Sequence, residues 1–515
     1  MSTNLDTYKK WQPFLLGLCA AIGLIAGMNM RQIQKPSVET NSIQLNSMDR
    51  IQKFADVMGY IQSKYIDSID LEKSTDLALD AWLASLDPYS DYIPSSELNS
   101  FSNRMNGTAV DFGLDLVVAD SKIIIQKVRE ASGAAAVGMR AGDQIKGING
   151  LQIKPDPYYL DSLINSILES NQDSIEIAWF SHEFAREQNS KIGLSPFKDN
   201  AVELSFSPEK GVVYLKLKIL NKESYREFMN VLETYVSEKN CKRLIIDLRG
   251  NAGGLVHEAA SILNQLIPEK DILLFKTQGF KTAAKEFKST GKPFFRLDKI
   301  VVLVDNETAS AAELIAASLQ DLDRAILVGQ NTFGKGTVLE QYSLPDGSAI
   351  RLAVSRFSTN SGRHIQKPYE NSEAFSYLSN PENSRDTIYY SRKKRRLATN
   401  NGVVPDIELD ATNPALDSTE QLIAIPIIAE QINEIKKAVA NQKESLKNNK
   451  QLDLILKNEL LKAKTKYPGV HWNEERVIQT CHATILLWLY GESAFQQELL
   501  KTDPVFLRAL KELRN

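Results

Sequence analysis

Cysteine is scarce. Cys19, Cys241 and Cys481 are too few and too scattered for a disulfide framework, and they lack metal-ligand spacing. The five histidines, His182, His257, His364, His471 and His482, form no HExxH or related pattern, which argues against a metal hydrolase. An excess of either charge is also missing: 61 basic residues face 64 acidic ones, and the net charge of −3 argues against bulk nucleic-acid binding. The glycine-rich turns GQNTFGKGT and DLRGNAGG match neither nucleotide-binding fingerprint, which sets aside a nucleotide-binding α/β protein. What remains is an ordinary globular chain. Its 515 residues, 43% apolar and 24% charged, suffice for several domains with sizeable cores.

The most informative stretch is 301–340. Val301–Val304 read as a short buried strand, broken by Asp305 and Asn306. Helix formers follow from Ala309 to Leu322, with Thr308 as the expected N-cap. Ser310 then stands in the first turn of a helix directly after a strand, beside free backbone N–H groups and the positive end of the helix dipole. A hydroxyl there suits a nucleophile whose attack creates an oxyanion, although serine is also a common capping residue. Further on, Lys335 sits between Gly334 and Gly336, where the backbone can turn tightly and approach another group. For a lysine to serve as general base its pKa of about 10.4 must fall by roughly three units, a cost near 4 kcal/mol. The alternative for Lys335 is a cation on a surface turn.

TASAAE followed by FGKGT, with 25 residues from Ser310 to Lys335, resembles the carboxyl-terminal processing peptidases (tail-specific proteases), which are Ser–Lys dyad serine proteases. The resemblance implies Ser310 as nucleophile and Lys335 as general base, with neither metal nor other cofactor. Asp321 matches an aspartate the family carries eleven residues after its serine. It lies about 16 Å along the helix, which makes it architectural. DLRGNAGG resembles the family's DLRxNxGG. By that likeness Gly253 or Gly254 supplies one oxyanion N–H and the amide of Ala311 the other. One departure stands out: Leu339 occupies the place of a glutamine that orients the dyad in many members, and Gln341, two residues on, is the candidate substitute. The alternative left open by Leu339 is a weakened or inactive homologue acting as a binding or scaffold protein.

Along the chain, residues 1–10 read as a short cytoplasmic tail and 11–30 as a single transmembrane anchor after Lys9 and Lys10. That places the bulk of the chain outside a bacterial inner membrane, in the periplasm. Residues 31–47 read as a tether, and 48–105 as a helical region that contains the family string LDPYSDY. Residues 106–180 carry short β runs, and AGDQIKGING resembles a PDZ domain, in which Phe112, Gly113 and Leu114 would receive a substrate's C-terminal segment. The polar stretch 181–210 gives no strong signal. Residues 205–410 form the α/β, crotonase-like protease core by resemblance, and 411–515 a separate α-helical domain. The basic run RKKRR, 392–396, reads as a solvated loop or a contact for an anionic membrane. The expected fold is therefore α+β and multidomain. The expected partners are proteins or peptides with a free C-terminus and the membrane, with no nucleic acid; a homo-oligomer or an adaptor is left open.

Overall fold

The computed structural model describes residues 44–129, 132–169, 173–367, 388–398, 402–409, 418–439, 446 and 449–514. The chain divides after Leu77 into two compact units. The described part of the first holds helix Gln44–Lys64 and the start of helix Leu71–Ala84. These residues were expected to run as one helix. Asp70 ends that continuity, because its carboxylate accepts the Lys73 N–H at 3.1 Å and caps a new helix.

No helix among the described residues is long and apolar enough to cross a membrane. The expected single-pass anchor, and the inner-membrane placement drawn from it, are corrected accordingly. The run read as the span, 11–30, lies outside the described residues.

In the second unit a six-stranded sheet runs in the order 202–206, 212–217, 243–247, 299–304, 326–329, 407–408. All but the first edge strand pair in parallel. Such strands are buried on both faces, and the alternation of side chains divides them between two layers. Val213, Leu215, Leu244, Ile246, Val302 and Val304 pack on one face against helices Ser224–Leu232, Val256–Leu266 and Ala311–Asp321. Val212, Tyr214, Ile245, Val301 and Leu303 point the other way, into a layer completed by Val505, Phe506, Ala509 and Leu510. Those residues belong to helix Pro504–Arg514, so the end of the chain is a layer of this sheet. The preceding helices have a core of their own around Ile428, Leu452, Leu456, Cys481 and Ile485.

An antiparallel sheet orders strands 91–93, 349–359, 270–278 and 285–290, with 337–343 also on 349–359. A third sheet runs 114–119, 122–128, 144–148, 174–181, 186–193 around Ile125, Ile145, Ile177 and Trp179. The stretch 181–210 thus carries strands that the sequence did not announce. In Arg186–Gly193 only Ile192 is buried, so this exposed edge strand lacks an apolar alternation. The RKKRR run is tied to the protein's own carboxylates: Arg392 pairs with Glu269 at 3.0 Å, and Arg395 with Asp323 and Asp406. Lys393, Lys394 and Arg396 are exposed, so the run is a solvated segment anchored at two of its arginines.

The last helix is held by a buried charge network. Asp503 caps it through the Val505 and Phe506 amides, at 2.9 and 3.2 Å, and pairs with Arg249 at 2.6 Å. Arg249 also grips Asp247, whose carboxyl burial would raise but which the guanidinium holds below its usual range. Removing one member of such a set strands a buried charge. Asp503→Ala is expected to destabilise the protein by about 3–5 kcal/mol, read from its denaturation midpoint.

Candidate active site

Strand Lys299–Val304 delivers the chain into the turn before helix Ala311–Asp321, every residue of which is buried. The cap differs from expectation. Thr308 is not the N-cap, because its hydroxyl donates to the Leu248 carbonyl at 3.0 Å and ties this turn to the DLRGNAGG turn. Ser310 takes the N-cap position itself, with φ 53° and ψ −119°, a conformation that a side chain rarely adopts. Its amide donates to Glu313 Oε2 at 2.8 Å.

Glu313 is the residue that sequence reasoning missed, although Ser310 with Glu313 three places on is the spacing of a capping box. Its buried carboxylate accepts four hydrogen bonds. Oε2 takes the amides of Ser310 and Lys335, both at 2.8 Å, and Oε1 takes the Gly334 amide at 2.8 Å and the Thr332 hydroxyl. Burial pushes its carboxyl above the ordinary range, against the pull of these donors. One oxygen thus holds the backbone of both predicted dyad residues.

The DLRGNAGG turn lies against Ser310. A Cβ on Gly253, which has φ +95°, would stand 2.8 Å from Ser310 Cβ and 3.0 Å from the Ala311 nitrogen, so only glycine fits. The Gly253 N–H is already committed to Asn251 Oδ1 at 2.8 Å. The Gly254 and Ala311 amides donate to no acceptor among the described residues. Of the two glycines named from the sequence, Gly254 is therefore the one with an N–H to offer.

Lys335 is half-buried. Its Nζ lies 4.8 Å from the centroid of the Tyr89 ring and makes no hydrogen bond to Ser310 Oγ. Burial, aided by the charge of Arg351, lowers its pKa from the ordinary lysine value, while Asp91, Asp87 and Glu313 oppose the shift. Asp321, at the far end of the helix, pairs with fully buried Arg363 at 2.7 Å and accepts the Ser361 amide at 3.0 Å. It braces the SGRHIQ segment. Gln341 is exposed, and no hydrogen bond ties it to Ser310 or Lys335. The two remaining described cysteines, Cys241 and Cys481, are buried, and burial pushes the Cys481 thiol up to about 12, far from a reactive thiolate.

Away from this cluster, Phe112 is buried in the third sheet's core, and Gly113 has φ +77° with the Ser132 side chain filling the place of a Cβ. The Gly113 N–H donates to Asp111 Oδ1 at 2.6 Å. Leu114 opens the strand that follows.

Glu313→Gln tests the organising role of the carboxylate. An amide NH₂ would face donors on whichever oxygen it replaces, so both turns should shift, with a loss of at least about 100-fold in proteolytic kcat/KM. A protease assay beside a thermal melt would separate this loss from unfolding.

Residues 211–370 match the model of peptidase family S41. The carboxy-terminal processing protease CtpA of Bacillus subtilis is 29% identical over 340 residues, 64% of this chain and 71% of that protein. CtpB of the same organism is 26% identical over 68% of this chain and 73% of its own. A probable CtpA-like serine protease of Staphylococcus aureus is 26% identical over 69% of this chain and 71% of its own. Among solved structures, the photosystem II D1 C-terminal processing protease aligns over 73% of this chain and 92% of its own, at 20% identity and TM-score 0.38. A family match centred on both glycine turns, Ser310 and Lys335, with relatives along about two thirds of the chain, makes this protein a serine protease of family S41, in the carboxyl-terminal processing group.

Proposed function

We propose that the protein cleaves polypeptides through a Ser310–Lys335 dyad by way of an acyl-enzyme. The observation that carries this reading is the single Glu313 oxygen that accepts both residues' amides, since it fixes the two backbones in one frame. Ser310 Oγ attacks the scissile carbonyl while Lys335 Nζ takes its proton. The amides of Gly254 and Ala311 receive the oxyanion, and the protonated lysine returns its proton to the leaving amine. Water then hydrolyses the ester, with Lys335 again as base. Because Nζ rests against Tyr89, it must turn toward Ser310 for each transfer. Asp321 is architectural in this scheme, and Gln341 has no part in it.

The third sheet is read as a PDZ-like domain whose turn at Phe112, Gly113 and Leu114 receives the substrate's C-terminal carboxylate. The Gly113 amide is taken by the Asp111 carboxylate, which the substrate's carboxylate would have to displace.

Incubation of the protein with an unfolded substrate, followed by mass spectrometry, tests the chemistry. Ser310→Ala and Lys335→Ala should each abolish turnover; cleavage retained by either would sink the dyad. In the wild type kcat/KM should rise with pH, because the base form of Lys335 fills above its lowered pKa. For the recognition turn, peptides should bind Ser310→Ala with a free C-terminus, and amidation of that terminus should abolish binding.

A further inference from the structure

The LDPYSDY string, 86–92, has no part in the chemistry above, yet it reaches the predicted base. Asp87 folds it into a tight turn: Oδ1 accepts the Tyr89 and Ser90 amides, both at 2.8 Å, and Oδ2 accepts the Ser90 hydroxyl at 2.6 Å. Two attachments then fix the turn to the protease. Ser90 Oγ accepts the Ala353 amide at 3.0 Å, and Asp91–Ile93 pair antiparallel with Ala349–Arg351. The Arg351 guanidinium closes on the Asp91 carboxylate beside them.

The attachments deliver one side chain to Lys335. The half-buried Tyr89 ring stands 4.8 Å from Nζ, and the Phe333 ring leans on it at a centroid distance of 6.4 Å. The far end of Tyr89 is tied back to the lysine's own loop. Gln366 donates to the Tyr89 hydroxyl in a long hydrogen bond of 3.4 Å, and its Oε1 accepts the Gly336 amide at 2.8 Å. Gly336 is confined there, since a Cβ would stand 2.9 Å from the Gln366 nitrogen. Ring, amide side chain and glycine loop close on each other around the lysine stem.

Resting on the dyad reading, we propose that Tyr89 is a positioning residue for the general base. Its ring forms the wall that keeps water from Lys335 Nζ, and the Gln366 link keeps that wall in register with the lysine loop. In a chain with Leu339 at the usual place of the orienting glutamine, this wall does the orienting from the opposite side of the sequence.

Two effects of the ring oppose each other. Its face attracts the ammonium, which modestly favours the proton at a partly open site. Its bulk excludes water, which disfavours the proton by more, since full burial shifts lysines by several units. Water exclusion wins. The charged groups facing Nζ, which are Arg351 on the paired strand, Asp87 and Asp91 on the turn and Glu313 on the helix, are unchanged when Tyr89 is replaced.

The test is the pH profile of kcat/KM on a fluorogenic peptide for the full chain carrying Tyr89→Phe, Tyr89→Ala and Tyr89→Gln. Tyr89→Phe keeps the wall and loses only its long Gln366 hydrogen bond, so it should move the limb in the same direction as Tyr89→Ala but by far less, with kcat/KM within about threefold of wild type. Tyr89→Ala should move the acid limb to higher pH and lower kcat/KM near pH 7 about tenfold, with KM nearly unchanged. Tyr89→Gln keeps bulk but brings hydrogen bonds to Nζ, so it should shift the limb the same way and keeps the test decisive where the alanine variant does not fold. An unshifted limb, or an activity gain on removing the ring, overturns the proposal. A Lys335→Ala control that still cleaves would instead refute the dyad itself, a different result from an unshifted limb over an inactive Lys335→Ala.

Discussion

A single carboxylate holds the catalytic region together. Glu313 is buried and ionisable, and alone it would be costly to place in a protein interior. Four donors offset that cost, and they come from two segments: the Ser310 turn, and the glycine loop that holds Thr332, Gly334 and Lys335. An acceptor-only group with four lone-pair sites suits this task better than any neutral side chain. The strained backbone of Ser310 persists because the same carboxylate fixes its amide while Gly253 packs against its Cβ.

Around that anchor the architecture is one of covered faces. The parallel sheet requires a layer on each side. One layer is supplied by helices interleaved with its strands, the other by the last helix of the chain. The helices before it reach the third sheet as well: Ile425 and Ala429 pack on Ala119 and Ile124, and the Trp488 ring fills the space beside Gly142. The C-terminal region therefore packs on both the third sheet and the parallel sheet.

Much of this was legible in the residues. Val301–Val304 and the helix formers after them fixed a strand–turn–helix because their preferences are local and agree with the tertiary outcome. The likeness of DLRGNAGG to the family's DLRxNxGG implied glycines beside Ser310, and Gly253 lies against it. The cap was misassigned because Thr308 and Ser310 are equally good capping residues, and only the position of the Leu248 carbonyl decides between them. Strand Arg186–Gly193 was hidden because an edge strand with a single buried side chain has no periodic signal. Tyr89 could not be seen from its own neighbourhood, since its link to Gln366 joins residues 277 positions apart. The apolar run near the start of the chain was read as an anchor from its length and the lysines before it, and no described helix has that character.

The tie between Arg249 and Asp503 spans 254 positions and has a bearing on the timing of assembly. Chains emerge from the ribosome N-terminus first, and domains close as their last segments arrive. The turn that carries Gly253 and Gly254 contains a half-buried arginine whose second carboxylate, that of Asp503, is made much later. Until Asp503 has emerged, that arginine lacks one of its two partners, and the face of the sheet formed by Tyr214 and Leu303 remains uncovered. A nascent chain therefore completes the second layer of this sheet only after helix Pro504–Arg514 has been made, so the strands before it wait on a distant segment for their final packing.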